Sequence, residues 1–368
     1  MNFYRGNGSP TKERPGNVHD IYVDELTGDA FKCVDVKVHG KDQQFTKVYS
    51  RGRHNTEYIW KPLDIFSVAE NFSSYFQGAT EVYHVDTSNG VLFKQMFYNC
   101  KTLTSIPELD TSNGLDFNYM FAGCSALTAI PELDISNGTS FNGMFNNCSA
   151  LTAIPELDTS NGTTFNAMFN NCKTLTSIPE LDTSNGTNFG YMFSDCSALT
   201  AIPELDTSNG TNFIGMFSGC SALTAIPELD TSNGTNFDYM FRNCSNLTKI
   251  PKLDVNKVTS FNTTFDGCAA LTDLYLYNIR KAITIGSGTS YGHLLTVESL
   301  VHTIKELCKV TSSTTLSMGS ANLAKIEGLY CRILDDTTEK IEMELCESTD
   351  EGAMTLAEYA SEKNWTFA

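Results

Sequence analysis

From Phe93 to Cys268 the apolar residues recur in one phrase of 24 residues. In the copy that starts at Cys100, Leu103, Ile106 and Leu109 stand among threonines, with Pro107 between the last two. A short apolar run of this kind reads as a brief strand, shortened or bent by its proline. Asp110-Thr-Ser-Asn-Gly114 follows, a run of turn formers in which Gly114 is free to take positive φ. Phe117, Met120, Phe121 and Cys124 then fall at i, i+3, i+4 and i+7, the spacing of one helical face. Each repeat is therefore predicted to be strand, turn and short helix, and a fixed period of this length predicts a stacked array. Stacking would line the strands into a parallel sheet on one side and the helices into a layer on the other. The fold class read from the pattern is an α/β solenoid of strand–turn–helix repeats, stable only through its neighbours.

Both ends of the array depart from the phrase, as caps do. Phe72, Phe76, Ala79, Val82 and Val85 form a shortened copy without the Ile-Pro insertion. Phe261, Phe265 and Cys268 lead into Leu271, Leu274, Leu276 and Asn278, close to an L-x-x-L-x-L core. Three regions are expected: a small β module at 1–63, the solenoid at 64–278 and a capping region at 279–368. In the first, the runs 20–24 and 30–34 read as a hairpin with Gly28 at the bend. In the last, Val297 to Cys308 carries a helical stripe after Thr296, 314–318 reads as a strand, and Thr355 with Glu358 forms a capping box.

The Ser-Asn-Gly turn and the Met-Phe-x-x-Cys ending, as in Leu133-Asp134 through Cys148, resemble the BspA-like leucine-rich repeats. The resemblance covers residues 64 to 278 and recurs at every repeat; Asn161-Gly162-Thr163 stands where the family often has Asn-Val-Thr. Members occur in bacterial and protist surface proteins and in phage tail proteins, so the repeat alone leaves the role open. The N-terminal Gly16-Asn-Val-His-Asp-Ile-Tyr-Val-Asp24 and Trp60-Lys-Pro-Leu63 resemble small β modules of phage tail fibres. The ending, 360–368, is similar to the closing segment of repeat-bearing tail proteins. These resemblances imply a fibre or tip protein of a tail, with other tail proteins as partners.

A net charge of −18 argues against nucleic acid and against an anionic membrane surface. No apolar stretch approaches a membrane span, and residues 1–15 show no secretory h-region. A chain made in a reducing compartment follows, and with it a virion rather than a cell-surface location; the alternative is a bacterial surface adhesin. The eight cysteines at positions 100 to 268 form one column, expected as buried free thiols. No zinc spacing, phosphate loop or nucleophile elbow occurs, and the six histidines are scattered, so neither catalysis, cofactor nor metal is expected. The column Asp110 to Asp230 is expected to close Asx-turns rather than to hold calcium.

What varies between repeats lies between the apolar helix positions. There Tyr119, Tyr191, Tyr239 and Arg242 form a candidate recognition face, because Tyr and Arg dominate binding hot spots. Drift at solvent-facing positions is the bland alternative for their variety. The reading is a non-enzymatic structural and recognition protein of a phage tail, meeting a host-surface protein or glycan; a fibre of this kind would be a homotrimer.

Overall fold

The computed structural model describes residues 3–6, 21–24, 30–32, 46–49, 59–62, 71–80, 82, 87–285, 295–308, 310–335 and 342–367. The first five segments are strands: β1 (Phe3–Gly6), β2 (Ile21–Asp24), β3 (Ala30–Lys32), β4 (Thr46–Tyr49) and β5 (Ile59–Pro62). They form one sheet in sequence order, β1 parallel to β2 and every later pair antiparallel. The expected hairpin is the β2–β3 pair, with Val23 opposite Ala30; its bend at Gly28, the cap residue Val85, and His19, His39, His54, His84 and His293 lie outside the described residues.

The array stacks as expected, yet the segment expected to be helical is not a helix. Residues 118–123 and their counterparts are strings of turns. In the central copy, Phe165, Ala167, Phe169 and Asn171 donate their N–H groups to Asn188, Gly190, Met192 and Ser194 of the next repeat at 2.7–2.9 Å. Met168, Asn170 and Cys172 between them donate back three residues, to Phe165, Ala167 and Phe169, each at 3.1 Å. This alternation satisfies every buried donor while leaving no run of i to i−4 bonds. It requires left-handed residues twice per repeat, at Tyr119, Gly143, Ala167, Tyr191, Gly215 and Tyr239, and at Gly123, Asn147, Asn171, Asp195, Gly219 and Asn243. Helices are confined to the C-terminal region among the described residues.

The strand expected at the Leu-x-x-Ile-Pro-x-Leu phrase is also absent from most repeats. In its place, isolated parallel bridges link Asp116, Ser140, Thr164, Asn188 and Asn212, just ahead of each phenylalanine. Proline supplies no ladder donor, and it recurs in every copy of the phrase. A paired strand forms only in the last copy, β6 (Lys249–Asp254), because its partner β7 (Asp273–Tyr277) lacks the proline. Their register slips between Ile250 and Leu253, so Pro251 sits in the bulge.

Two phenylalanine ladders fill the interior. Phe97, Phe121, Phe145, Phe169, Phe193 and Phe217 stack nearly parallel with centroids 5.3–5.8 Å apart. With a rise of ~4.8 Å per repeat, that separation means an offset stack, the favourable arrangement. The second ladder runs through Phe93, Phe117, Phe141, Phe165, Phe189, Phe213 and Phe237. The conserved-period turn glycine serves this ladder rather than a positive φ. A Cβ on Gly186 would lie 2.5 Å from Phe189 Cζ and 2.9 Å from the Thr183 carbonyl oxygen. Val258 takes this place in the last repeat, and there Phe261 is tilted 46° from Phe237.

The eight cysteines of the array, Cys100 to Cys268, are free and buried. From Cys124 to Cys268 each thiol donates to the carbonyl of the second phenylalanine one repeat earlier, at 3.0–3.2 Å. A threonine column behaves alike: Thr159, Thr183, Thr207 and Thr231 donate to the aspartate carbonyl of the next repeat at 2.8–3.0 Å. Thr111 is buried without a partner for its hydroxyl, and the next copy carries Ile135 in this column. Thr111→Val is therefore expected to raise stability by about 1 kcal/mol, and Thr183→Val to lower it by a similar amount. Guanidinium unfolding midpoints read both, and equal shifts of one sign would contradict the account.

Past β7 the core continues without a break to Trp365. Helix α1 (Val297–Lys305) is N-capped by Thr296, whose side chain accepts from the Ser299 N–H. Thr296 also donates its own N–H to Thr272, which donates to Thr248, so α1 starts where another repeat would. Ser299 Oγ accepts from Leu274 N–H and donates to Leu274 O at 2.8 and 2.7 Å, closing the edge of β7. Strands β8 (Ile283–Thr284), β9 (Thr314–Ser317) and β13 (Trp365–Phe367) form one small sheet. Strands β10 (Tyr330–Asp335), β11 (Glu342–Cys346) and β12 (Met354–Thr355) form another, with α3 (Leu356–Glu362) beside it, while α2 (Ser320–Ile326) packs against α1. Thr355 and Glu358 make the full capping box at α3. Buried Lys363 donates to the carbonyls of Leu307 and Lys305 at the end of α1, at 2.8 and 3.3 Å.

Candidate recognition face

Turns between the buried Phe, Met and Cys positions turn most of the intervening side chains away from the core, Ala122 and Ser194 being buried exceptions. Tyr119, Tyr191 and Tyr239 share one column on this face and are 36%, 36% and 38% exposed. All three are left-handed, at φ 56°, 55° and 59°. That conformation costs a residue with a Cβ about 1–2 kcal/mol, and glycine close to nothing. Glycine occupies the column at Gly143 and Gly215, and Ser74, Gln95, Ala167 and Thr263 also stand in it with left-handed backbone.

The tyrosine rings explain where the glycines stand. A Cβ on Gly143 would collide with the Tyr119 ring, and one on Gly215 would lie 2.5 Å from Tyr191 Cε1. Tyr119 and Tyr191 each lean onto a glycine of the next repeat, whereas the residue one repeat beyond Tyr239 is Thr263. In the second left-handed column Asn99 leans over Gly123, Asp195 over Gly219 and Asn243 over Gly267, while Asn147 and Asn171 are followed by Asn171 and Asp195. The glycines at 123, 143, 215, 219 and 267 thus lie under side chains of the preceding repeat.

Arg242 belongs to the same face, and its guanidinium lies 5.8 Å from the Tyr239 ring centroid. Tyr239 and Arg242 are thus brought together; Tyr191 stands two repeats away and Tyr119 three repeats beyond Tyr191. The sequence missed Gly143 and Gly215 as seats for the rings. A signal for the left-handed backbone was present: Asn, Gly or Asp precedes every cysteine from Cys100 to Cys268.

Between Tyr119 and Tyr191 the face is built from amides. Asn146 Nδ2 donates to Asn170 Oδ1 at 3.1 Å, Asn147 donates to Asn146, and Asn171 donates to Asn147. On another face the aspartates close Asx-turns: Asp158 accepts from the Ser160 N–H at 3.0 Å and from its hydroxyl at 2.7 Å. Those serine hydroxyl and backbone bonds hold the carboxyls of Asp158, Asp206 and Asp230 below the ordinary carboxylate range. Burial pushes the Cys148, Cys196 and Cys268 thiols up to about 12, far from nucleophilic character at neutral pH. Among the described residues no group of three or more His, Cys, Asp or Glu could hold a metal ion, and no helix is long and apolar enough to cross a membrane.

A family model described as "Mycoplasma protein of unknown function, DUF285" matches residues 66–178, 139–248 and 163–280, together more than half of the chain. No curated protein matches. Among solved structures, a leucine-rich repeat protein from Bacteroides ovatus is 17% identical, covering 55% of this chain and 73% of that one with a TM-score of 0.23.

Proposed function

The chain belongs to the DUF285 family of BspA-like repeats through residues 66–280, and on that footing we propose that it is a non-enzymatic recognition protein that binds its ligand on the tyrosine face. One observation carries the reading. Three tyrosines are held exposed in a left-handed backbone conformation that glycine takes at Gly143 and Gly215 of the same column. Strain of this kind persists where function requires the side chain. Tyrosine offers a large, stiff contact surface with a polar tip, and Arg242 adds a donor fork beside Tyr239. Buried thiols of raised pKa fit a structural column rather than chemistry.

The setting we propose is a phage tail particle, in which the chain is a fibre or tip that meets a host-surface protein or glycan. The tail-fibre-like motifs at 16–24 and 60–63 and the tail-like ending at 360–368 support this placement. Other tail proteins are its partners in that setting, and a homotrimer is the assembly a fibre would use. Mass spectrometry of particles purified from the source strain tests the setting: repeated failure to find the chain removes it.

The face itself is tested with Tyr191→Gly and Tyr239→Gly combined. Glycine stands at this position in two other repeats, so the variant keeps the fold. Labelling of host cells by the fluorescent protein is expected to fall by about tenfold or more, a hot-spot-sized loss. Undiminished labelling with an unchanged melting curve overturns the reading.

A further inference from the structure

The geometry points to a neutral oligosaccharide as the ligand of the segment between Tyr119 and Tyr191, an inference that rests on the recognition face proposed above. Charge is the first argument. Residues 102–241 contain fifteen Asp and Glu and a single basic residue, Lys173. Yet the outward turn positions of the three repeats from Asn118 to Asn171 carry Asn, Tyr, Ala and Gly alone. An anionic ligand would meet the field of the surrounding carboxylates. A cationic ligand would be drawn to the exposed Glu and Asp stripes on another face. The uncharged patch matches an uncharged ligand.

Chemistry narrows the class. Each carboxamide has two donor hydrogens and two acceptor lone pairs. The ladder commits one donor hydrogen and one acceptor at each of Asn146, Asn147 and Asn170, and one donor hydrogen at Asn171. Capacity for further hydrogen bonds therefore remains at half-exposed and exposed side chains, in a row that follows the stack. Hydroxyl groups, which both donate and accept, are the complementary partners. The Tyr119 and Tyr191 rings bound this row, each lying on a glycine of the next repeat and about a third exposed. A ring face is electron-rich and attracts polarised C–H groups. Alternating hydroxyl edges and C–H faces are the two surfaces of a sugar ring. The rings stand three repeats apart, about 14 Å at a strand-like rise, which spans a short oligosaccharide rather than one sugar.

The test uses the full chain on immobilised chitohexaose, cellohexaose and maltohexaose, with sulfated and amino-sugar oligosaccharides beside them. Wild type is compared with Tyr119→Gly and Asn171→Gly, both glycine in the same columns elsewhere, at Gly143 and Gly123. Retention on at least one neutral probe, reduced about tenfold or more in both variants with unchanged thermal melting, is the expected result. Absence of neutral binding, binding to charged probes only, or equal binding by the variants overturns it. Labelling of host cells by the same preparations separates the two readings. If it still falls in the tyrosine variants, the recognition face stands and the ligand is a protein or a charged glycan. If it is unchanged as well, both readings fall.

Discussion

Replacing Phe169 with alanine is expected to lower the stability of the array by about 3–5 kcal/mol and to split its unfolding into two steps. Phe169 is fully buried at the middle of its ladder, stacked on Phe145 at 5.6 Å and on Phe193 at 5.8 Å. Its removal leaves a cavity and deletes two ring contacts, each worth about 0.5–1.5 kcal/mol beyond the buried area. Neither neighbour can close the gap, because its own backbone is tied to the next repeat through bonds such as Phe169 N–H to Met192 O. In a linear array each repeat is coupled only to those beside it, so a weak centre uncouples the two halves. Phe265→Ala gives the comparison. Phe265 stacks on Phe241 alone along the ladder, at 6.0 Å, so its loss should be smaller and leave one transition. Guanidinium unfolding with hydrogen exchange by repeat reads both, and a single shared transition for Phe169→Ala would rule out nearest-neighbour coupling as described.

Gly186→Ala is expected to destabilise by about 1–3 kcal/mol, although alanine is ordinarily the better residue for chain entropy. The added Cβ would meet Phe189 Cζ at 2.5 Å, the Thr183 carbonyl at 2.9 Å and Phe165 Cε2 at 3.0 Å. Two of these belong to buried rings locked in a stack and one to backbone, so none yields cheaply. The last repeat shows the outcome of relaxation: with Val258 in this place, Phe261 turns out of line and packs edge-on against Phe265 at 5.6 Å. The ladder can end that way, but it cannot continue through such a ring. Gly78→Ala is the control for backbone strain alone, since Gly78 has φ 73° and open space around it. Comparing the two midpoints separates crowding from handedness. A Gly186→Ala protein as stable as wild type would exclude the packing role.

Parts of the site were readable in the residues, for stated reasons. Tyr119, Tyr191 and Tyr239 were placed on an outward face because they fall between apolar positions that share one side, and they are exposed. The Asx-turns at Asp110 and Asp158 were readable because their partners lie two residues away. The backbone under the tyrosines was not. The spacing of Phe117, Met120, Phe121 and Cys124 brings four side chains to one side in a helix and equally in this string of turns. What distinguishes the two is the destination of alternate N–H groups, which lies 23 residues away, as from Tyr119 to Asn142. Gly114 was misread for a related reason: its role is set by the Phe117 ring folding back on it, not by its own φ.

The sequence by itself determined the period, the Phe, Met, Cys and Leu core columns and the turn chemistry, because each depends on local spacing or on repetition; the buried threonine column was not read from it. Only the tertiary structure decided the handedness of the backbone, the seating of Tyr119 and Tyr191 on the next repeat's glycine, and the hydrogen bonds that join the amides between the rings. Those depend on contacts between successive repeats, whose geometry is fixed by hydrogen bonds and ring stacking across the array and by nothing inside one copy of the phrase.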